Sequence, residues 1–184
     1  MRIIGGTLRG KKLSTLDGLT TRPTLDRVKE SVFNIIQFQI KDVNVLDLFA
    51  GSGALGLEAL SRGAKKAVFC DKSKDAIKII EKNVINTKLQ DKSFIINNDY
   101  IDCLNELKGK EKFDIVFLDP PYDTDYGIRA INTIIENDLL SDDGIIIFET
   151  NNENKEKSIE LNKNICIFDK RKYGIAFIMF IRKG

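Results

Sequence analysis

Apolar residues follow two alternating patterns along most of the chain, and these patterns predict its strands and helices. Five short apolar runs lack in-and-out alternation, as expected of strands that are covered on both faces of a sheet. The predicted strands are residues 45–49, 67–70, 94–96, 115–118 and 145–148. The stretches between them show helical spacing and predict helices at residues 55–61, 74–87, 101–107 and 127–136. Strands that alternate with helices indicate a doubly wound, mostly parallel sheet.

Both ends of the chain depart from this alternation. Residues 164–168 and 175–181 are apolar segments joined by DKRKYG, a link too short for a crossover helix, so these strands must pair antiparallel. Near the N-terminus, closely spaced glycines predict a short hairpin, and helical spacing predicts a helix over residues 25–39 with Thr24 as its cap. The predicted fold class is α/β, with a seven-stranded, Rossmann-like sheet that ends in an antiparallel hairpin.

Composition limits the chemistry that the chain can perform. There is no histidine, which excludes Ser-His-Asp and Cys-His catalysis and every His-ligated metal site. Cys70, Cys103 and Cys166 lie far apart and predict neither a disulfide framework nor a zinc site. The longest apolar run, residues 175–181, is far too short for a membrane span, and the N-terminus lacks a signal-peptide pattern. We expect a cytoplasmic protein that binds neither metal nor membrane.

Charge is distributed unevenly, although the net charge is only +2. Residues 1–42 contain eight Lys or Arg residues and four Asp or Glu residues, while the rest of the chain is slightly acidic. A basic segment of this kind indicates a polyanionic partner, although a solvated surface would have the same composition. We therefore interpret residues 1–42 as a basic extension of a domain that spans residues 43–184.

A glycine-rich loop follows the first strand of the predicted sheet. Gly51, Gly53 and Gly56 form G-x-G-x-x-G at a turn from strand to helix, where small residues let the backbone approach a ligand. A plain tight turn is the alternative. Asp71 lies at the end of the next strand, at a distance along the chain that suits a carboxylate binding ribose hydroxyls. Asp47, just before the loop, would repel a pyrophosphate, which favours S-adenosylmethionine over a nicotinamide dinucleotide; a buried or capping aspartate is the alternative.

Two further residues follow the third strand. In this architecture Asp99 could accept hydrogen bonds from an adenine amine, and Tyr100 could pack on the adenine ring. Asp99 could equally serve as the N-cap of the helix that begins there.

The segment LDPPY leaves the fourth strand, which a doubly wound sheet places beside the first. Proline fixes the backbone, so the carbonyl of Pro120 and the carboxylate of Asp119 would stand side by side as acceptors. Two adjacent acceptors match an exocyclic amine, which has two donors, and Tyr122 offers a face on which a base can stack. These residues would orient the amine for direct methyl transfer, a reaction that requires no histidine.

These motifs resemble a known family. The segments LDLFAGSGALGLEALSRGA and LDPPY, with Asp99 and Tyr100, are similar to class I S-adenosylmethionine-dependent methyltransferases that methylate amines. RIIGGTLRGKKL followed by TRPTLDRVKESVFN closely resembles the bacterial 16S ribosomal RNA guanine-N2 methyltransferase family, over essentially the whole chain. The resemblance implies methyl transfer to the N2 amine of guanine 966 in 16S ribosomal RNA. The substrate would be an assembling or assembled small ribosomal subunit, and we expect the protein to be a monomer.

The resemblance also implies roles for individual residues. The residues expected at the cofactor are Asp47, Phe49, Gly51 and Gly53 for its methionine half, Asp71 with Lys72 at its ribose, and Asp99 and Tyr100 for its adenine. The residues expected at the target guanine are Asp119, Pro120, Pro121 and Tyr122. The residues expected at RNA are Arg22, Thr24 and Arg27 beside the catalytic pocket, and Arg2, Arg9, Lys11 and Lys12 on phosphates.

Three alternative functions remain at this point. An N6-adenine methyltransferase would share Asp-Pro-Pro-Tyr, but the chain lacks a region large enough for a target-recognition domain. A nicotinamide oxidoreductase is disfavoured by Asp47 and LDPPY, and a catalytically silent RNA-binding module is disfavoured by the two intact motifs. The chain departs from the family pattern after Gly174, where Ile175 and Ala176 replace small polar residues.

Overall fold

The computed structural model describes residues 1–16 and 23–184, and it leaves out the side chains of residues 23–26. Within these ranges the strands are β1 Asn44–Asp47, β2 Lys66–Asp71, β3 Ser93–Asn97, β4 Phe113–Leu118, β5 Leu140–Thr150, β6 Ile165–Tyr173 and β7 Ala176–Lys183. The α-helices are α1 Pro23–Ile35, α2 Ala54–Ser61, α3 Lys74–Thr87, α4 Tyr100–Leu107, α5 Tyr126–Glu136 and α6 Lys155–Glu160. No helix of this part of the chain is long and apolar enough to cross a membrane.

The strands form one seven-stranded sheet in the order β3-β2-β1-β4-β5-β7-β6. Strands β1 to β5 pair in parallel, and β7 pairs antiparallel with both β5 and β6. The strand order reverses between β1 and β4, where Asp47 lies opposite Phe117. The predicted fold class is therefore confirmed, and the reversal places the loops after β1 and β4 next to each other.

A hydrophobic layer covers each face of the sheet. One layer joins α1, α2 and α3 to the sheet, with Phe33, Leu57 and Ile80 fully buried in it. The other layer joins α4, α5 and α6 to the opposite face and contains Leu104 and Ile134. Because both faces are covered, the central strands have apolar residues at successive positions, which explains their unbroken apolar runs.

Several predicted elements differ from the structure. Strand β5 begins at Leu140 rather than at residue 145, and α1 begins at Pro23, so Thr24 lies inside the helix and is not its cap. The first helix ends at Ile35 rather than at residue 39, and Phe38 beyond its end is 92% exposed.

Helix α6 was not predicted, because its exposed sequence KEKSIE buries only Ile159. Strand β6 continues to Tyr173 through the residues predicted as a link. The apolar pattern did not reveal this part of the strand, because an exposed edge strand carries mostly polar side chains there.

The N-terminal segment is a compact loop rather than a regular hairpin. Residues Arg2 and Lys12 form one antiparallel bridge, and Gly6–Leu8 forms a 3₁₀ turn between them. The buried Glu58 carboxylate of α2 accepts hydrogen bonds from the backbone N–H groups of Ile4 and Gly5, at 2.8 and 2.7 Å. These contacts fix the segment against α2, because a buried carboxylate requires donors on its oxygens.

Two more buried polar residues hold the same segment. Ser61 accepts a hydrogen bond from the Leu8 N–H at 2.9 Å and donates one to the Gly5 carbonyl at 2.7 Å. The amide of Asn83 in α3 exchanges hydrogen bonds with the backbone of Ser14, at 2.8 and 2.9 Å. Residues 1–16 are therefore held against α2 and α3, and Met1 at their start contacts Ser52 in the loop after β1.

Candidate active site

Two cavities open at the carboxyl ends of β1 and β4. The first has a volume of about 480 Å³, and its lining includes Leu48, Phe49, Asp71, Lys72, Asn98, Asp99, Tyr100, Asp119, Pro120, Pro121, Tyr122 and Tyr126. The second, of about 300 Å³, lies toward α1 and is lined among others by Met1, Val28, Lys29, Val32, Asp47, Gly51, Phe117, Glu149 and Ile178. Phe49, Asp119 and Tyr122 line both. The structure thus brings the glycine loop and LDPPY together, as predicted from the strand order.

The glycine loop makes its sharp turn with left-handed residues. Gly51 and Gly53 have φ values of 54° and 76°, a conformation that side chains other than glycine rarely adopt. Gly56 has a different requirement, because a Cβ atom there would lie 2.3 Å from the Phe69 ring of β2. The three glycines therefore allow the loop to turn and α2 to pack closely on the sheet.

Asp71 ties the glycine loop to the end of β2. Its Oδ2 accepts a hydrogen bond from the Gly51 N–H at 2.8 Å, and its Oδ1 accepts one from the Ser73 N–H at 2.9 Å. Each carboxylate oxygen can accept more than one hydrogen bond, so the side chain can still bind a hydroxyl in the first cavity. Asp71 thus lines the first cavity from the end of β2.

Asp47 is buried beneath the glycine loop at the second cavity. Its Oδ2 accepts a hydrogen bond from the Gly56 N–H in the first turn of α2, at 2.9 Å. Burial raises the pKa of the Asp47 carboxyl to about 7; the Gly56 hydrogen bond opposes this rise and the nearby charge of Asp71 adds to it. A positively charged ligand nearby would favour the ionised form of this group.

Asp99 and Tyr100 lie side by side at the first cavity, at the start of α4. Asp99 caps the helix, because its Oδ1 accepts a hydrogen bond from the Ile101 N–H at 3.1 Å. The Tyr100 ring packs between the rings of Phe49 and Tyr126, with centroid distances of 5.2 and 5.0 Å. Within the described residues, the buried Tyr100 hydroxyl has no hydrogen-bond partner. The cavity therefore combines an aromatic wall with free polar groups.

Asp119 is the first residue after β4, and its side chain opens to both cavities. In the part of the chain that the structure describes, no group donates a hydrogen bond to its carboxylate. Asp119 is exposed at the mouth of these cavities; partial desolvation by the surrounding protein atoms, followed by the charges of Glu149 and Asp47, raises the pKa of its carboxyl above the ordinary value. Asp119 is thus an acceptor without a donor, in a region that already contains negative charge.

Side chains from distant elements hold the segment that follows Asp119. The Tyr122 hydroxyl donates a hydrogen bond to Glu149 Oε1 of β5 at 2.8 Å. The Lys155 ammonium of α6 donates to the backbone carbonyls of Tyr122 and Thr124, at 3.0 and 2.7 Å. These contacts anchor the Tyr122 side chain at its hydroxyl and its backbone at the carbonyl.

The predicted RNA-binding residues fall into three groups. Arg2, Arg9 and Arg27 line a third cavity of about 340 Å³, together with Glu30 of α1. Lys12 is exposed and Lys11 is half-buried on the adjoining strand-like segment. Arg22 and the side chain of Thr24 lie outside the described residues. The structure therefore brings the three arginines to one surface, next to the helix that also lines the second cavity.

Sequence reasoning missed several residues that build the site. Tyr126 and Asn98 line the first cavity, and Glu149 lines the second. Lys155 supports the proline loop, which we define as residues 119–122. Glu149 could have been found, because it is the one acidic residue in the apolar end of β5, and ligands bind at the carboxyl ends of parallel strands. Lys155 left no such signal, since its helix was not predicted.

Comparisons with known proteins agree with this arrangement. A family model described as conserved hypothetical protein 95 matches residues 1–182. The chain is similar to ribosomal RNA small subunit methyltransferase D of Haemophilus influenzae, with 38% identity over 96% of this chain and 90% of the relative. The protein of that name from Escherichia coli K12 is also 38% identical, over 88% of this chain and 80% of the relative.

A solved structure shows the same architecture. It is a protein of Escherichia coli, yhhF, described as a methyltransferase, with 34% identity and a TM-score of 0.89. The match covers 100% of this chain and 97% of that chain. The similarity therefore includes the N-terminal segment as well as the sheet.

Proposed function

We propose that this chain, which belongs to the family described as conserved hypothetical protein 95, transfers a methyl group from S-adenosylmethionine to the N2 amine of a guanine in 16S ribosomal RNA. Relatives named ribosomal RNA small subunit methyltransferase D support the methyltransferase reaction and the class of RNA. The runner-up reaction, methylation of adenine N6, would use the same pair of acceptors.

The observation that carries the proposal is the unbonded Asp119 carboxylate at the wall shared by the two cavities. Together with the Pro120 carbonyl, it would hold the two hydrogens of an exocyclic amine and direct the nitrogen lone pair toward a methyl donor. As the C–N bond forms and the C–S bond breaks, positive charge appears on the nitrogen, and the nearby carboxylate stabilises that charge. The nitrogen then loses one proton, and Asp119 is placed to accept it.

The first cavity and the glycine loop fit S-adenosylmethionine as the cofactor, which supplies an electrophilic methyl group on a sulfonium. Asp99 with the ring of Tyr100 would bind the adenine, and Asp71 with Lys72 would bind the ribose. Asp47, Phe49, Gly51 and Gly53 would surround the methionine half. Buried carboxyl groups beside the loop favour a cation there and disfavour a pyrophosphate, because like charges in a poorly hydrated region repel strongly.

The RNA would approach from the side of the N-terminal segment. Arg2, Arg9 and Arg27 converge on one cavity, and α1 connects this surface to the second cavity through Val28 and Val32. Arginine and lysine contacts to phosphates give affinity and register, while the pocket selects the base. A guanine extruded from its stack would enter the second cavity beside Tyr122.

The test uses small ribosomal subunits from a strain that lacks this modification, incubated with the protein and S-adenosylmethionine that carries a labelled methyl group. We expect labelled N2-methylguanosine after digestion of the RNA to nucleosides. Naked 16S RNA in parallel would show whether the assembled particle is required. Label in N6-methyladenosine would favour the runner-up reaction, and the absence of label in any nucleoside would refute the proposed function.

A further inference from the structure

Glu149 is a second carboxylate in the pocket proposed for the target base. It lies near the end of β5 and is half-buried at the second cavity, which Asp119 and Tyr122 also line. Its Oε1 accepts the hydrogen bond from the Tyr122 hydroxyl at 2.8 Å. Within the described residues, no group donates to its Oε2. One oxygen of Glu149 therefore holds the ring of Tyr122, and the other remains an acceptor.

The donor pattern of purines gives this second acceptor a meaning. In guanine, the N2 amine lies next to N1–H, so the edge presents adjacent donors. In adenine, the N6 amine lies next to an unprotonated N1, which is an acceptor. A carboxylate near N1 would bind guanine and repel adenine, because an acceptor that faces an acceptor leaves both groups unpaired in a poorly hydrated site.

The surroundings agree with a donor-rich ligand. Asp119 and Glu149 face one pocket, and the negative charge of Glu149 contributes to the raised pKa of Asp119. Burial also raises the pKa of Glu149, and the Tyr122 hydroxyl only partly offsets this effect. Two carboxylates that line one cavity repel each other unless a ligand supplies donors to both. The adjacent N1–H and N2 amine of guanine would supply them.

We infer that Glu149 is a specificity residue, whose Oε2 accepts a hydrogen bond from guanine N1–H while Asp119 and the Pro120 carbonyl hold the N2 amine. This inference rests on the proposed function. It assigns the choice of base to β5 and the orientation of the amine to the proline loop. The alternative is that Glu149 only supports Tyr122.

The experiment separates these two roles with 2-aminopurine, which carries the N2 amine but has an unprotonated N1. Small subunits are reconstituted with 16S RNA that contains either guanine or 2-aminopurine at the modified position. Single-turnover methylation of both substrates is measured for the wild-type protein and for the variants Glu149→Gln and Tyr122→Phe. Glu160→Gln, on the exposed side of α6, is the matched control.

For the wild-type protein we expect guanine to react at least about tenfold faster than 2-aminopurine, the discrimination typical of one well-placed base contact. In Glu149→Gln the ratio should fall toward one or invert, because the amide can donate to an unprotonated N1. Tyr122→Phe should lower both rates but keep the preference for guanine, since Glu149 stays in place. Glu160→Gln should match the wild type.

Two outcomes would overturn the inference while the proposed function stands. One is a wild-type protein that methylates guanine and 2-aminopurine equally, a result that depends on no variant. The other is a guanine preference that Glu149→Gln and Tyr122→Phe leave equally intact, which would make Glu149 a support for Tyr122 alone. If the wild-type protein transfers no methyl group to guanine in any subunit, the proposed function fails, and the inference fails with it.

Discussion

The two cavities lie between a glycine-loop wall and a proline-loop wall, and the carboxylates of these walls differ in the hydrogen bonds that they receive. In the glycine-loop wall (Asp47, Gly51, Gly53 and Asp71), both acidic side chains accept hydrogen bonds from backbone N–H groups. In the proline-loop wall (residues 119–122), the Asp119 carboxylate receives none from the described residues. The first wall therefore stabilises its own shape, whereas the second leaves acceptors available for a ligand that brings donors.

The walls also differ in how they are held in place. The hydrogen bonds of the glycine-loop wall are local, because even the partners farthest apart along the chain, Gly51 and Asp71, are separated by only 20 positions. The proline-loop wall depends on Glu149 and Lys155, which come from β5 and α6. The glycine-loop wall therefore forms with β1, α2 and β2, which follow one another along the chain. The proline-loop wall needs the assembled sheet, because the residues that hold it come from β5 and α6. Substitutions outside residues 119–122 can therefore change its geometry.

The strongest test of this contrast removes the free acceptor. We expect Asp119→Ala to lower the single-turnover rate of methyl transfer by on the order of a hundredfold or more, because it removes a preorganised group that stabilises charge in the transition state. Cofactor affinity, measured by calorimetry, should change little, since Asp119 is assigned to the target amine. Asp119→Asn should also be slow, because its amide can present donors to another amine.

Asp123→Ala is the matched control for this prediction. Asp123 is an exposed carboxylate on the same loop, so its loss should leave the rate near the wild-type value. A normal rate in Asp119→Ala would show that the two prolines form only a turn and that the free acceptor has no role in the reaction.

The second test concerns the buried carboxyl of the glycine-loop wall. Burial raises the pKa of Asp47 from the 3.8 of an ordinary aspartate to about 7 in the folded protein, so the folded state binds its proton more tightly. Stability should therefore fall as the pH rises from 4 toward 7, where this group ionises in the folded state, and then level off. Asp47→Asn keeps an oxygen for the Gly56 N–H but removes this dependence.

We expect the stability advantage of Asp47→Asn over the wild type to grow by about 2 kcal/mol between pH 5 and pH 8, because the unfolded chain is already ionised at this position while the folded protein loses the proton only near pH 7. Urea unfolding at both pH values in the absence of cofactor measures it. Asp75→Asn, at an exposed carboxylate of α3, should show no such trend. An equal difference at both pH values would mean that Asp47 ionises at its ordinary pKa.

The contrast between the walls also explains what the sequence could predict. The glycine loop, Asp71 and the strand order follow from local patterns, because apolar runs and turn residues act within one strand–turn–helix unit. Glu149 and Lys155 could not be assigned, since their partners lie 27 to 33 positions away and meet only through the β4–β5 pairing and the packing of α6. Helix α6 itself could not be predicted from apolar spacing, because only one of its side chains is buried.

The N-terminal region was predictable in composition but not in detail. Its basic charge predicts a surface for a polyanion, and the structure brings three of its arginines to one cavity. The contacts that seat the segment come from Glu58, Ser61 and Asn83, polar residues inside helices whose sequence suggests exposed faces. Polar residues in a helical pattern do not reveal whether a distant loop covers them.

A third prediction breaks the bonds within the glycine-loop wall. Asp71→Ala removes the acceptors for the Gly51 and Ser73 N–H groups together with the proposed ribose contact. We expect cofactor affinity to fall about tenfold or more, since charge-assisted hydrogen bonds are each worth about 1.5–3 kcal/mol. At saturating cofactor the rate should recover, in contrast to Asp119→Ala. A rate that stays low at saturation would mean that this wall also governs the chemical step.

The last and smallest effect tests the distant support of the proline-loop wall. Lys155→Met keeps a long apolar side chain but removes the donor to the carbonyls of Tyr122 and Thr124. The loop should become more mobile, and we expect single-turnover methylation to slow by about fivefold, equivalent to about 1 kcal/mol for hydrogen bonds at a partly exposed site. Lys157→Met, on the exposed face of the same short helix, is the control and should react like the wild type. Because Lys155 touches the backbone and no ligand group, the Kd of the cofactor should stay constant while the rate falls. Equal rates in the two lysine variants would show that the proline loop holds its shape without α6, and that the difference between the walls lies only in which carboxylate is left free.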